Sequence, residues 1–300
     1  MENNIYTIEL LQKHKKLISA NIIHYKDDFI FQQEMDKFIN MVCKDKEAFN
    51  FYSLNNHEAL KEARMGNVQK AEMLMMRAKK CIDFDVLSIV EKDVYTLISL
   101  PIQAFLSYKK TNYMIAKQQT YETMLFDEKL EGYNPSISYH KIQQLHNMSR
   151  IEMKEKNIDN TVIIFNLLYR NLLLSEEVNY QEITFFYEDS TEALKKLRKL
   201  MLGQITNEYI LFLDKLENKV EILDRTFHEV FENEAAVNND LKSYLYWIIL
   251  KKSAVDHQQL DADVIKNFIN KSVDYTSTVP IDSLLNEIKT PARIDEALKY

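Results

Sequence analysis

The chain has 300 residues, of which 46% are hydrophobic and 28% charged, and its formal net charge is −7. This composition is typical of a folded globular protein and excludes wholesale disorder, while the negative charge argues against general nucleic-acid binding. Only 3 Gly and 4 Pro occur. These are too few for the turns of a β or α/β protein of this length, so we predict an all-α fold.

The two cysteines, Cys43 and Cys81, have neither metal-ligand spacing nor the density of a disulfide framework. The first 25 residues contain no apolar signal-peptide core, and no apolar run in the sequence approaches a membrane helix. We therefore expect a cytoplasmic protein that does not bind a membrane.

Apolar residues at helical spacing predict a series of helices in the first part of the chain. These are predicted at 5–24, 29–49, 56–65, 68–81, 91–110, 113–130, 136–155 and 157–174. We expect Asp27 and Asp28 to cap the second helix, and the segment 53–56 to separate the second from the third. Pro101 should kink or divide the helix at 91–110. In the helix at 68–81 the residues expected to face inwards are Met73, Leu74, Met76 and Ala78.

Beyond residue 175 the predicted helices are 180–202, which ends at Gly203, then 205–231, 239–252, 261–272 and 281–298. We expect a loop at 276–280 and a mobile tail from Lys289 onwards. The helix at 205–231 has apolar residues at alternating spacings of three and four, which is a heptad seam. The seam residues are Leu213, Leu216, Val220, Leu223, Phe227 and Val230. Two interpretations remain open: the seam packs on neighbouring helices, or it joins a partner or a second copy in a homo-oligomer.

Three short segments recur at a spacing of 45 residues, beginning at Gly66, Thr111 and Lys156. Each follows one predicted helix and opens another. A fixed period between 20 and 50 residues indicates stacked supersecondary units, here antiparallel helical hairpins. Two places before each segment stands a basic residue: Arg64, Lys109 and Lys154.

The first unit resembles the tetratricopeptide repeat. Its turn residue, two small residues and large apolar residue are matched by Gly66, Ala71, Ala78 and Met75, and Ala59 matches the small residue of the first helix. The later units match at Ala104, Thr111, Ala116, Ser149 and Phe165, and depart at Thr120, Thr123, Lys156, Thr161 and Leu168. The resemblance covers roughly residues 52–175, although the period of this family is about 34 residues. It implies a tetratricopeptide-like α-solenoid at 53–175, between a helical pair at 1–52 and a helical region at 176–300.

In such solenoids the first helices of successive hairpins line a concave groove that holds a peptide or partner helix. The corresponding residues are Asn56, Leu60, Arg64, Phe105, Tyr108, Lys109, His146, Arg150 and Lys154. Cations in a groove suit carboxylates, and aromatic rings supply apolar contact. The resemblance therefore implies a non-enzymatic protein- or peptide-binding adaptor, for which an acidic segment is a suitable ligand.

Two alternatives remain open. One is a regulatory protein of the same repeat type that senses a short peptide and, in response, changes its binding to another protein. The other is an all-α enzyme whose polar groups converge only in three dimensions. The sequence contains no nucleophile motif, glycine-rich phosphate loop or metal-ligand spacing. We therefore predict no catalytic residue, metal or cofactor.

Overall fold

The computed structural model describes residues 2–21, 27–187, 189–257, 260–272, 275 and 277–289. In these ranges it contains thirteen α-helices and one small antiparallel sheet, so the all-α prediction is confirmed. The helices are α1 Glu2–Asn21, α2 Asp27–Val42, α3 Lys46–Arg64, α4 Val68–Lys80, α5 Ile89–Lys109, α6 Tyr113–Leu130, α7 Ser136–Lys154, α8 Ile158–Leu174, α9 Glu192–Leu213, α10 Lys219–Glu232, α11 Lys242–Val255, α12 Ala262–Lys271 and α13 Val279–Lys289. The strands are β1 Val178–Tyr180 and β2 Ile183–Phe185, and single 3₁₀ turns occupy Phe84–Val86, Glu234–Ala236 and Asn239–Leu241.

The boundary between α2 and α3 lies earlier than the sequence predicted. The Asp45 carboxylate accepts a hydrogen bond from the Ala48 N–H at 3.0 Å and caps α3 there. The predicted break at 53–56 was wrong because α3 continues through it. The amides of Asn55 and Asn56 each donate to a carbonyl one turn earlier, which accommodates both residues inside the helix.

Helix α5 runs without interruption past Pro101, so of the two predicted outcomes, a kink or a division, the division into two helices does not occur. Its start is fixed by a reciprocal cap, in which the Ser88 hydroxyl accepts from the Glu91 N–H and the Glu91 carboxylate accepts from the Ser88 N–H. Buried residues on both sides of the proline, such as Leu97 and Leu106, supply packing that stabilises the helix despite the missing N–H.

Two predictions beyond residue 175 were wrong. The segment 178–185 forms a β-hairpin that turns at Gln181, whose φ is +55°, and α9 then continues through Gly203. The predicted long helix at 205–231 is two helices, because α9 ends at Leu213 and α10 begins at Lys219. Three further predictions fall on parts of the chain that the structure does not describe. They are the cap formed by the side chains of Asp27 and Asp28, the loop at residue Thr276, and the mobile tail after Lys289.

The chain forms two compact units. Unit 1 comprises Met1–Lys26, Tyr169–Glu176 and Arg198–Tyr300, and unit 2 comprises Asp27–Leu168 and Glu177–Leu197. In unit 1 the rings of Tyr169, Tyr209 and Phe227 meet edge to face, with centroids 4.7 to 5.9 Å apart. Four of the predicted seam residues lie in this interior and are fully buried: Leu213, Leu223, Phe227 and Val230.

An apolar cluster of unit 2 lies where α2, α3 and α5 meet. Phe38 of α2, Phe49 and Tyr52 of α3, and Tyr95 of α5 are all nearly inaccessible to solvent. The Tyr52 hydroxyl donates to the Tyr95 carbonyl at 3.1 Å, which fixes α3 beside α5. A second cluster joins Ala59, Ala63, Ala71, Ile102 and Leu106. The small side chains of this cluster let α3, α4 and α5 approach closely.

Candidate binding surface

The three recurring segments form turns with the same backbone conformation. Gly66, Thr111 and Lys156 have φ of 88°, 63° and 60°. Each donates its N–H to the carbonyl three residues back, and the following Asn donates its N–H to the carbonyl five residues back, at 2.9 to 3.0 Å. This is the hydrogen-bond pattern of a helix that ends at a left-handed residue. The spacing of 45 residues found in the sequence therefore corresponds to a repeated helix–turn–helix geometry.

Nine residues stand at positions where the tetratricopeptide pattern has closely packed side chains. All nine are buried in these hairpins, each at most 5% exposed. They are Ala59, Ala104, Ser149, Ala71, Ala116, Thr161, Ala78, Thr123 and Leu168. Where threonine replaces a smaller residue, its hydroxyl donates to a carbonyl one turn earlier: Thr123 to Gln119 at 2.8 Å and Thr161 to Asn157 at 2.7 Å. The polar departures are thus satisfied inside their own helices. The prediction that Met73 and Met76 face inwards was wrong, since they are 65% and 58% exposed.

Ion pairs place the three turns along one edge of unit 2. Lys110, at the second turn, pairs with Glu72 at the start of α4. Lys117, in the first turns of α6, pairs with Glu155 and lies 3.2 Å from Glu152, both beside the third turn. We call the residues 64–67, 109–112 and 154–157 the turn edge.

The turn edge presents the three basic residues singled out from the sequence. Arg64, Lys109 and Lys154 are the last residues of α3, α5 and α7, and all three are exposed. Within the described part of the chain, none of them forms an ion pair with N–O within 4.0 Å. A cation at a helix C-terminus is stabilised by the helix dipole, so each position also supports its own helix.

Aromatic and apolar side chains accompany these cations. Phe105 and Tyr108 are half-buried and stacked with centroids 6.1 Å apart, and the Lys109 ammonium lies 5.4 Å from the centre of the Phe105 ring. Next to the second turn, Met114 and Ile115 are 80% and 45% exposed. The edge therefore combines accessible apolar surface with positive charge that no described carboxylate pairs with.

The structure removes two residues from the predicted surface. Asn56 and His146 are 1% and 0% exposed, so neither side chain is available to a ligand. The His146 ring lies 6.5 Å from the Phe165 ring of α8, on the face of α7 directed into unit 2. Arg150 is half-buried, and its Nη1 donates to the Asn147 Oδ1 at 2.6 Å.

A buried polar group that the sequence analysis missed lies between α6 and α7. The Asp127 carboxylate is fully buried and lies 2.7 Å from Nδ1 of His140, and the His140 ring is stacked on Phe31 of α2. Burial raises the pKa of the Asp127 carboxyl above its ordinary value, while the nearby His140 and Lys141 act in the opposite direction. The available signal was a polar stripe at spacings of four and three along α7, formed by His140, Gln144 and Asn147.

In this group both nitrogens of the His140 ring are engaged, since Nε2 lies 3.0 Å from the Gln144 amide nitrogen. The ring therefore offers no free nitrogen as a general base. Among the described residues, no group of three or more His, Cys, Asp or Glu is arranged to hold a metal ion. None of the described helices is both long enough and apolar enough to span a membrane.

Comparisons of the chain with protein-family models, with curated proteins and with solved structures found no match.

Proposed function

We propose that this chain is a non-enzymatic protein- or peptide-binding adaptor, and that its turn edge holds an acidic segment. The observation that carries the proposal is the state of Arg64, Lys109 and Lys154. They occupy the same place in three hairpins and are exposed, and no carboxylate of the described residues neutralises them. The chain as a whole carries a net charge of −7. The electrostatic potential at the turn edge is therefore opposite in sign to that of the whole chain, and it attracts carboxylates.

Apolar surface at the edge gives the ligand a second means of attachment. Phe105 and Tyr108 form a half-buried aromatic pair beside Lys109, and Met114 is 80% exposed. Methionine adapts its shape to different partners, and aromatic side chains are frequent anchors at interfaces. The favoured ligand is therefore a segment in which acidic residues alternate with apolar ones.

We also propose that the hairpins form a tetratricopeptide-like stack and that the protein is located in the cytoplasm. The first is supported by three turns of one conformation and by the small residues buried at equivalent places in three hairpins. The second is supported by the cysteines, since both Cys43 and Cys81 are free thiols.

The test is a selection of random displayed peptides against the wild-type chain, followed by affinity measurement on two variants. The first variant carries Arg64→Glu, Lys109→Glu and Lys154→Glu. The matched control carries Lys46→Glu, Lys79→Glu and Lys80→Glu, which change the charge equally. These control lysines are also exposed and form no ion pair with any described residue, but they lie at the opposite end of the first hairpin.

We expect the selected peptides to be enriched in Asp and Glu, and to bind more weakly as the salt concentration rises. Exposed ion pairs contribute up to about 1 kcal/mol each, so reversing three charges should weaken binding roughly 30- to 150-fold. The control should bind as the wild type does. Enrichment of peptides without acidic residues, or equal weakening by both variants, would overturn the proposal.

A further inference from the structure

The second of the three turns differs from the other two in what its asparagine side chain contacts. At the first turn the Asn67 amide donates to the Glu62 carboxylate at 2.7 Å. At the third turn the Asn157 amide donates to the Glu152 carboxylate at 3.0 Å. Both carboxylates are buried and lie five residues before the asparagine that they bind. These two amides therefore belong to the fold, because each supplies a hydrogen bond to a buried charged group.

At the second turn the residue equivalent to these glutamates is Ser107, whose hydroxyl donates to the Gln119 side-chain oxygen at 2.7 Å. The main-chain bond of the turn is kept, since the Asn112 N–H donates to the Ser107 carbonyl at 2.9 Å. The Asn112 side chain is exposed, and it makes no hydrogen bond to any described residue. The second turn therefore forms without this amide, which remains open to a ligand.

The second turn also carries a row of three aromatic rings. The Phe105 and Tyr108 rings have centroids 6.1 Å apart, and the Tyr113 ring follows at 5.9 Å from Tyr108. All three residues are half-buried, and Met114 beside them is 80% exposed. The equivalent residues are Leu60, Ala63 and Val68 at the first turn, and Arg150, Met153 and Ile158 at the third. Aromatic side chains are frequent anchors at interfaces, so the second turn has an anchor that the other two lack.

The lysines around the second turn have two different roles. Lys110 pairs with Glu72 and Lys117 pairs with Glu155, so these two lysines join the turn to its neighbours. Lys109 forms no ion pair with N–O within 4.0 Å to any described residue, and its ammonium lies 5.4 Å from the centre of the first ring of the row. A ligand carboxylate that binds Lys109 is therefore also brought beside the aromatic row.

The Asn112 amide has the chemistry to recognise a peptide main chain. Its oxygen accepts and its nitrogen donates, so one asparagine side chain can bond both the C=O and the N–H of a single ligand residue. In a helical ligand these groups are mostly used by the hydrogen bonds of the helix itself. An extended segment leaves them free, and such segments are commonly bound through their main chain while pockets select their side chains.

We infer that the second turn is the anchoring subsite of the turn edge, where Asn112 bonds the main chain of an extended acidic segment. Lys109 binds a carboxylate of this segment, and the aromatic row contacts an apolar side chain next to it. The inference rests on the proposed function. It adds the extended conformation of the ligand and the turn that determines the specificity.

The test uses an acidic peptide from the selection, the full-length chain and two variants. Asn112→Ala removes the amide assigned to the ligand, and the matched control Asn67→Ala removes the equivalent amide assigned to the fold. We expect Asn112→Ala to leave the midpoint of urea unfolding unchanged and to weaken peptide binding about 5- to 30-fold, which corresponds to the loss of one or two hydrogen bonds. Asn67→Ala should lower the urea midpoint and leave the affinity unchanged.

Main-chain recognition is tested with copies of the peptide in which one amide at a time is replaced by an ester, which removes one N–H. At one position the ester should weaken binding to the wild type about fivefold and have no effect on binding to Asn112→Ala, as in a double-mutant cycle. The absence of such a position, or wild-type affinity of Asn112→Ala for the unmodified peptide, would overturn the inference and leave the proposed function untouched.

Two further outcomes would contradict the inference in different ways. A urea midpoint lowered by Asn112→Ala as much as by Asn67→Ala would assign the Asn112 amide to the fold and overturn the inference alone. A selection that yields no acidic peptide would overturn the proposed function, and this inference with it.

Discussion

Replacing Thr111 by glycine should stabilise the protein, although it shortens a side chain and removes a hydrogen bond. Thr111 has a φ of 63°, in the left-handed region that Gly66 occupies in the equivalent turn. A residue with a Cβ atom in this region is destabilised by about 1–2 kcal/mol, and β-branched residues are the least suited to it. Glycine has no such penalty, because it has no Cβ atom.

The expected magnitude follows from three opposing contributions. Thr111→Gly relieves about 1–2 kcal/mol of backbone strain, but the added freedom of the unfolded chain opposes it by about 0.4–1 kcal/mol. It also removes the bond from the Thr111 hydroxyl to the Lys110 carbonyl, 2.6 Å long and exposed, which is worth about 0.5 kcal/mol at most. At the middle of each range, the net gain is about 0.5 kcal/mol. Lys156→Gly, where φ is 60° and no hydroxyl is lost, should gain slightly more.

Thr111→Ala is the matched control, because it removes the hydroxyl and keeps the Cβ atom in the left-handed region. Urea unfolding followed by far-ultraviolet circular dichroism compares the free energies of unfolding of the three proteins. We expect the glycine variant to be the most stable and the alanine variant to lie close to the wild type, because alanine loses the hydroxyl bond but is also no longer β-branched. In a protein of this size 1 kcal/mol raises the Tm by about 2 °C. A glycine variant no more stable than the alanine variant would refute the argument from backbone strain.

Three further predictions concern buried groups. Native protein should react quickly with a thiol reagent at exposed Cys81 alone, and buried Cys43 should react only after denaturation; two fast thiols would contradict this. Burial, reinforced by Glu91, raises the pKa of Cys43 to about 11, so the free energy of unfolding should fall between about pH 9 and 11, where the unfolded thiol ionises first. Cys43→Ala should show a smaller fall in urea titrations over this range. Lys251 is fully buried, and its ammonium lies 2.8 Å from the Glu287 carboxylate and 2.6 Å from the Ser283 hydroxyl. Lys251→Met removes one partner of this buried ion pair and should therefore lower the free energy of unfolding of unit 1 by about 3 kcal/mol. The fluorescence of buried Trp247 follows this unfolding. A loss below about 1 kcal/mol would refute this.

Composition and spacing were enough to predict the helical class and the three turns. The shortage of glycine excluded strand-rich folds, and the recurrence at Gly66, Thr111 and Lys156 marked three residues that adopt the same left-handed conformation. The turn is a local feature, since its hydrogen bonds join residues at most five apart. Local features are the ones that a sequence pattern can specify.

Features that depend on tertiary contacts were missed. Ile183 and Phe185 alternate as in a strand, but a run of three residues is too short to be recognised from periodicity, and its pairing into a hairpin depends on burial against other elements of unit 2. At 205–231 the apolar spacing is continuous, so nothing in the periodicity marks the break between Leu213 and Lys219.

The candidate residues near the turns are exposed, as a ligand-binding role would require, whereas two candidates farther from the turns are buried. Arg64, Lys109 and Lys154 lie two residues before the left-handed residue, so their exposure follows from the turn geometry. Asn56 and His146 lie ten residues before it, where small differences in helix rotation decide whether a side chain faces a groove or the core. The Asp127–His140 pair joins two helices and therefore required the three-dimensional structure.

The most direct test of the central claim is a charge swap between the turn edge and its ligand. An acidic peptide from the selection, and a copy with each Asp and Glu replaced by Lys, are titrated against the wild type and the variant Arg64→Glu, Lys109→Glu, Lys154→Glu. If the edge binds through opposite charges, the acidic peptide prefers the wild type and the basic copy prefers the variant. A basic copy that binds neither protein, together with an acidic peptide that binds both equally, would contradict binding at this edge.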